Sequence, residues 1–214
     1  MTPVTVYSRI GRLCVITDVR VQSRFTHEEL AELACAGGAD MIQLRDKELA
    51  EDEFTRVAAR VREICRQYGA RLIINDHVRV ARAVGADGVH VGRGDMPVKA
   101  AREFLGADAI IGTSAGSLSE AHETEASGAD YIGFGHIFAT SSKAKAIPPV
   151  GVEALAAVCV GIKLPVMAIG GINEGNLAEV MEAGAWGIAV IAAVCAARDP
   201  RSATAGLRAA IDGE

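Results

Sequence analysis

The chain has 214 residues, half of them hydrophobic, and carries a formal net charge of −5. This length suits one large α/β domain with a well-buried core. The negative charge and the absence of a dominant basic patch disfavour a nucleic acid or an anionic membrane as partner. Local clusters of positive charge can still hold a small anion.

The compartment is indicated by the cysteines and by the apolar runs. The five cysteines form no C-x-x-C pair, so we expect buried, reduced thiols rather than a metal or redox motif. The N-terminus lacks the apolar core of a secretory signal, and the longest apolar run, GIAVIAAVCAA, is shorter than the ~20 residues needed to cross a bilayer. These features predict a soluble, cytoplasmic protein.

Eight short apolar runs recur along the chain, separated by helical stretches. The runs are LCVIT (13–17), DMIQL (40–44), RLIIN (71–75), DGVHV (87–91), AIIGT (109–113), DYIGF (130–134), PVMAI (165–169) and GIAVI (187–191). Continuous hydrophobicity is typical of strands covered on both faces, and strands that alternate with helices indicate a parallel sheet.

Local signals mark the ends of the helices. Thr26 precedes Glu29 by three positions, and Ser117 precedes Glu120 likewise, which is the spacing of a capping box. The segments AGGADMIQL, VGADGVHV, SGADYIGF and AGAWGIAV each end a helix at glycine, which adopts the left-handed conformation cheaply, and then enter a strand. Eight strands and eight helices predict a single-domain (β/α)8 TIM barrel over residues 1–214, with a doubly wound open sheet as the alternative.

In such a barrel the active site lies at the C-terminal ends of the strands, and polar residues collect there in this sequence. One face of the second strand carries Met41, Gln43, Arg45 and Lys47, because alternate side chains share a face. If this face points to the barrel axis, it passes from apolar to cationic towards the mouth. Burying an unpaired charge is costly, so the column predicts a bound anion. An ion network with Asp46 and Glu48 is the alternative.

Asp76 and Asp95 follow neighbouring strands, which run about 4.8 Å apart. Two carboxylates at this spacing can share one Mg²⁺, with ligands at ~2.1 Å and a shell completed by phosphate oxygens. The alternative is that each aspartate caps the helix that follows it. The AIGGIN loop and the turn after GIAVI offer backbone N–H groups at the usual phosphate position of these barrels.

The histidines separate into three kinds. We predict that His27 and His122, in helical stretches, are solvated, and that His90, within the fourth strand, is a hydrogen-bonded core residue. His136 follows the sixth strand and is a candidate for acid–base chemistry.

The combined motifs resemble the superfamily of thiamine phosphate synthases (thiamine-phosphate pyrophosphorylases) and thiazole tautomerases. The carriers are QLRDK, IINDH, GVHVGRGDMP, IGTS, YIGFGHIFATSSK, PVMAIGGI and GIAVIAAV, which cover nearly the whole chain. The resemblance implies a transferase of thiamine biosynthesis, which joins hydroxymethylpyrimidine diphosphate to thiazole phosphate and releases diphosphate.

The resemblance also implies roles for individual residues. The pyrimidine diphosphate is expected to contact Gln43, Arg45, Lys47, Asn75, Ser114 and Lys143. The thiazole phosphate is expected at Thr140 and Ser142, with its phosphoryl group on Gly171 and the Ile191–Ala192 backbone. Asp76 and Asp95 are expected to hold Mg²⁺, and the candidate catalytic residues are Arg45, Lys47, Ser114, Lys143 and His136. The cations would meet the negative charge that grows on departing diphosphate.

Four positions depart from the synthase pattern. His136 stands where synthases usually have proline, ATSSK lacks the proline of P-T-x-T-K, SAG lacks a histidine after the fifth strand, and Arg93 replaces a common glutamine. GHIF resembles the tautomerase branch, in which this histidine shuttles a proton.

Three alternatives to the synthase therefore stay open. They are an enzyme that isomerises carboxythiazole phosphate with His136, a non-catalytic regulatory barrel that binds a phosphate ligand, and another phosphate-sugar barrel enzyme, for which His136 lacks an obvious carboxylate partner. Small phosphorylated molecules are the expected partners in every case. A homo-oligomer is compatible with the sequence.

Overall fold

The computed structural model describes residues 9–140 and 148–213, in which eight parallel strands form a closed barrel in chain order. The strands are β1 (Leu13–Thr17), β2 (Met41–Leu44), β3 (Arg71–Asn75), β4 (Gly88–Val91), β5 (Ile110–Ala115), β6 (Tyr131–Gly135), β7 (Val166–Ile169) and β8 (Gly187–Val190). Strand β1 pairs with both β2 and β8, which closes the sheet. The predicted barrel is confirmed, and each strand overlies one of the eight predicted runs.

Helices surround the barrel. In the described ranges they are α1 (His27–Ala36), α2 (Glu51–Tyr68), α3 (Val78–Val84), α4 (Val98–Leu105), α5 (Leu118–Ala126), α6 (Gly151–Gly161), α7 (Leu177–Glu182), α8 (Ala192–Cys195) and α9 (Pro200–Asp212), with a 3-10 turn at Val19–Val21. None of these helices is long and apolar enough to cross a membrane. Thr26 and Glu29 form the predicted reciprocal capping box of α1. Ser117 caps α5 as predicted, whereas the Glu120 carboxylate accepts the N–H of Gly116 at 2.6 Å.

The strand side chains form two hydrophobic cores, one on each face of the sheet. One core packs between the strands and the helices and includes Ile42 and Leu44. The other fills the barrel interior and includes Met41, Ile73 and Tyr131. Met41 faces the interior, and Gln43 and Arg45 line the cleft above it, so the predicted inward column of β2 is confirmed for these three residues. Lys47 lies beyond the end of the strand, and its place in the column stays a prediction.

The echoed glycine turns stabilise the opposite end of the barrel. Three of them carry an aspartate that accepts a backbone N–H at the start of the preceding strand and pairs with a helix arginine. These groups are Asp40 with Leu13 N–H and Arg208, Asp87 with Leu72 N–H and Arg62, and Asp130 with Ile111 N–H and Arg102. In the fourth turn Trp186 takes this place, and its indole N–H donates to the carbonyl of Ile10 at 2.9 Å.

Candidate active site at the mouth of the barrel

A cleft opens at the C-terminal ends of the strands and reaches into the barrel. Its apolar lining includes Cys14, Ile16, Met167 and Ala189, and its polar lining is Gln43, Arg45, Asn75, His90, Ser114 and Tyr131. An apolar pocket with a few convergent polar groups is typical of a small-molecule site. The structure therefore brings together four of the predicted substrate-binding residues: Gln43, Arg45, Asn75 and Ser114.

Arg45 is only 7% exposed, and its partner is an aspartate that the sequence analysis did not single out. Its guanidinium donates to the carboxylate of Asp18, which follows β1 and also accepts from Nε and Nη2 of Arg20 at 3.0 and 2.8 Å. Burial of Asp18 opposes its ionisation, but the hydrogen bonds from Arg20 and the charges of both arginines hold the pKa of Asp18 below its usual value. Asp18 thus supplies the partner that the buried Arg45 requires. The alternative ion network with Asp46 and Glu48 is not what Arg45 forms.

The carboxyl groups of Asp76 and Asp95 lie close together at the ends of β3 and β4, near enough for Asp95 to affect the ionisation of Asp76. Burial of Asp76, followed by its hydrogen bond to Asp95 and the charge of Asp95, raises the pKa of Asp76. The positive charge of Lys47 acts to lower the pKa of Asp76, which indicates that this predicted cation lies near the pair. A bound cation would offset the repulsion between two carboxylates held this close together.

The backbone around the pair supports a role other than helix capping. Asp76 has a φ of 62°, a left-handed conformation that is uncommon for a non-glycine residue and concentrates at functional sites. The N-cap positions of α3 and α4 are His77 and Pro97, neither with a side-chain cap, so the capping alternative for both aspartates is wrong. The Asp95 carboxylate instead accepts the N–H of Gly92 at 2.7 Å.

The described residues contain no group of three or more His, Cys, Asp or Glu side chains that could hold a metal. A two-carboxylate site still fits Mg²⁺, which usually keeps several waters and binds through one or two carboxylates together with substrate phosphates. Asp76 and Asp95 meet that requirement, since oxygen is their only donor type and they lie close together.

His90 links the inner wall of the cleft. Its Nδ1 lies 3.1 Å from the Tyr131 hydroxyl, and its Nε2 lies 2.9 Å from the Ser114 hydroxyl. The predicted hydrogen-bonded state of His90 is confirmed, and in addition the residue lines the cleft. Gly112 makes room for this network, because a Cβ there would lie 2.1 Å from Cζ of Tyr131.

A second, smaller cavity adjoins the first at the ends of β7 and β8. Its lining includes four predicted thiazole phosphate residues, Thr140, Gly171, Ile191 and Ala192. Gly171 has a φ of 68°, and its carbonyl accepts from the Asn176 side chain at 3.0 Å, which fixes this turn. Ala192 begins α8, and the first N–H groups of a helix lack partners within it, so they are available to an anion.

Three predicted site residues remain, His136, Ser142 and Lys143. His136 is 7% exposed, its carbonyl accepts the N–H of Val150 at 2.9 Å, and it is absent from the linings of both cavities. Its acid–base role stays a prediction. Ser142 and Lys143 lie in the stretch between 140 and 148 that the structure does not describe.

Two predictions about the other histidines have opposite outcomes. His122 is exposed, as expected. The prediction that His27 is solvated is wrong, because the residue is only 4% exposed. His27 is the first residue of α1, and its ring lies between the C-terminal ends of β1 and β2.

The structure thus places a cleft with a buried arginine, an acidic pair and the start of a short helix at the mouth of one (β/α)8 barrel, where enzymes of this fold have their active sites.

The family model for thiamine monophosphate synthase matches residues 13–194. The chain is 46% identical over 211 residues to the thiamine-phosphate synthase of Salinibacter ruber, across 99% of this chain and 93% of the relative. It is 48% identical over 199 residues to the enzyme of the same name from Methanocella arvoryzae, across 93% and 94%. Thiamine phosphate pyrophosphorylase from Pyrococcus furiosus superposes with a TM-score of 0.88 at 40% identity, covering 98% of each chain.

The chain therefore belongs to the thiamine monophosphate synthase family. The predicted resemblance, and with it a transferase of thiamine biosynthesis, is confirmed by these relatives.

Proposed function

We propose that this chain couples hydroxymethylpyrimidine diphosphate to thiazole phosphate, forming thiamine phosphate and diphosphate. The observation that carries the proposal is the adjacency of two different cavities. One has the arginine and polar groups suited to a pyrimidine diphosphate, and the other has a backbone cradle suited to a phosphate monoester. Ile169, Ala189 and Ile191 line both cavities, so the two cavities adjoin each other.

The reaction exchanges one bond for another. The C–O bond between the pyrimidine methylene and the diphosphate breaks, and its electron pair leaves with the diphosphate. The thiazole nitrogen then supplies its lone pair to the methylene carbon and forms the new C–N bond. No covalent bond to the protein is required, so the protein acts by positioning the partners and by meeting charge as it develops.

The residues divide this work. Arg45 and Lys47 donate to the diphosphate oxygens, and Lys143 is expected to add a third cation. Gln43, Asn75 and Ser114 orient the pyrimidine ring above the apolar floor, which excludes water from the reactive methylene. Asp76 and Asp95 would hold Mg²⁺, which when bound neutralises charge on the leaving group. Thr140, Ser142, Gly171 and the start of α8 hold the thiazole phosphate.

The free thiols support action in a reducing compartment, and we extend the proposal to the cytoplasm on that basis. Four of the five cysteines are buried. Cys14, at the floor of the cleft, has its pKa raised to about 12 by burial, so it remains a neutral thiol and not a nucleophile.

The test supplies both substrates to the purified chain, with and without Mg²⁺, and quantifies thiamine phosphate and diphosphate. We expect the two products in equal amounts and only with the metal. A parallel assay follows isomerisation of carboxythiazole phosphate, with His136→Ala as its variant. Isomerisation without coupling would replace the proposal with the tautomerase, and ligand binding without turnover would replace it with the regulatory barrel.

A further inference from the structure

His27 bridges the ends of two strands from the helix side of the barrel. Its Nδ1 lies 2.8 Å from the hydroxyl of Thr17, the last residue of β1, and its Nε2 lies 3.0 Å from Oδ2 of Asp46, just after β2. Thr17 is fully buried, and the side chains of His27 and Asp46 are 4% and 7% exposed. Three polar side chains buried together indicate a specific network, because each would be costly to bury alone.

Both ring nitrogens of His27 therefore have a polar partner, the Thr17 hydroxyl on one side and the Asp46 carboxylate on the other. Removing the ring would leave a buried hydroxyl and a buried carboxylate short of a partner, which is more costly than the loss of an exposed hydrogen bond.

Asp46 uses its second oxygen to shape the loop. Oδ1 accepts the N–H groups of Glu48 and Leu49 at 2.7 and 2.9 Å, closing a turn around Lys47. Burial of Asp46 opposes its ionisation, but the hydrogen bonds from His27 and from these two N–H groups hold its pKa below the usual value. The carboxylate therefore anchors the turn in its charged form.

The two residues that flank Asp46 connect this anchor to the mouth of the barrel. Arg45 lines the cleft and the charge of Lys47 acts on Asp76, whereas Asp46 points to the helices. The strand ends are thus joined twice: Asp18 to Arg45 towards the cleft, and Thr17 through His27 to Asp46 on the outer side. The outer link fixes the backbone from which both cations project.

We propose that His27 is a positioning residue for the diphosphate site, holding Asp46 so that Arg45 and Lys47 face the anion. The inference deepens the proposed function and rests on it for the identity of the substrate. Its physical basis is preorganisation: a turn fixed before binding loses less conformational entropy when the anion arrives. Lys47 gains most, because its side chain is exposed and is not fixed by packing.

The test compares His27→Leu with His27→Gln, whose side-chain amide can still donate towards Asp46. The control is His122→Leu, which changes an exposed histidine on α5. We expect His27→Leu to raise KM for the pyrimidine diphosphate roughly tenfold, about 1.4 kcal/mol, and to leave KM for thiazole phosphate unchanged. His27→Gln should recover part of the loss, and the control should behave as wild type.

A second measurement separates this inference from the proposed function. Calorimetric titration with inorganic diphosphate and Mg²⁺ should show the same roughly tenfold weakening in His27→Leu, whether or not coupling activity is detected. If His27→Leu fails to fold, Asp46→Asn, which keeps one acceptor oxygen, replaces it with the same expected pattern. Unchanged diphosphate affinity, or an equal rise in both KM values, would overturn the positioning role. Weakened diphosphate binding in a chain without coupling activity would retain it and reject the synthase.

Discussion

Asp76 and Asp95 bring their carboxyl groups close together from the ends of neighbouring strands, and burial together with this proximity raises the pKa of Asp76. Folding therefore makes Asp76 harder to ionise. The arrangement costs stability at neutral pH and is the kind of local conflict that proteins retain at functional sites.

Asp76→Asn should accordingly be more stable than wild type in metal-free buffer near neutral pH. Because the folded pKa of Asp76 is raised, the folded state binds more protons than the unfolded state, and wild-type stability falls as pH rises through that raised value. The asparagine variant does not titrate, so its advantage should vanish below the usual aspartate pKa of about 3.9. Thermal unfolding with a chelator at several pH values measures this, with the exposed Asp108→Asn as control. A variant less stable than wild type at neutral pH would contradict it.

Magnesium should stabilise the wild-type chain and neither Asp76→Asn nor Asp95→Asn. A ligand that binds only the folded state raises Tm with concentration, at about 2.7 kcal/mol when it reaches a hundredfold its Kd. The wild-type response should weaken in acid, because protons compete for the carboxylates. Thermal shift against Mg²⁺ and against matched NaCl separates the specific response from ionic strength. Equal shifts in all three proteins would remove these aspartates as ligands.

Asp18→Asn should destabilise the fold by about 3 kcal/mol at neutral pH, because it leaves the buried Arg45 without its carboxylate. The folded pKa of Asp18 is lowered, so its contribution is complete above the usual aspartate value and is lost as pH falls through the lowered one. Urea unfolding of both proteins should therefore show a gap that narrows in acid. A gap that is constant with pH would mean that the ion pair is not its source.

Gly171→Ala should raise KM for thiazole phosphate and leave KM for the pyrimidine diphosphate unchanged. The residue has a φ of 68°, and an added Cβ would lie 2.5 Å from the carbonyl oxygen of Ala139, so the cradle must distort. Gly85→Ala is a matched control, because Gly85 has a φ of 62° with open space around it. The control should lose stability of about 1 kcal/mol from the conformation alone, with normal kinetics. Equal kinetic effects in both variants would point to general destabilisation.

Much of the barrel follows from short-range patterns. Continuous apolar runs identified the strands because both faces are covered, and the period of two placed Met41 inwards and Ile42 outwards. The approach of Asp76 to Asp95 was predictable from topology, since residues that follow adjacent parallel strands meet at one edge. Gly171 and the start of α8 were predictable from the strand count in the same way.

The missed partners depend on contacts between elements. Asp18 directly follows a predicted strand, and that position could have marked it, but its pairing with Arg45 requires the register of β1 on β2. His27 lies in the polar segment THEEL, which by itself is typical of a solvated helix start. Its burial arises because the first turn of α1 reaches the ends of two strands, and no local pattern encodes that distance.

The aspartate turns at the far end of the barrel join three pairs of neighbouring strands. Asp40, Asp87 and Asp130 each lie just before an even-numbered strand and accept a backbone N–H from the odd-numbered strand before it. These hydrogen bonds join β1 to β2, β3 to β4 and β5 to β6. Each aspartate also pairs with an arginine from a helix outside its strand pair, so these contacts tie the strands to the surrounding helices at the base of the barrel. Loops at the mouth can therefore diverge during evolution without loosening the base that holds the strands in register.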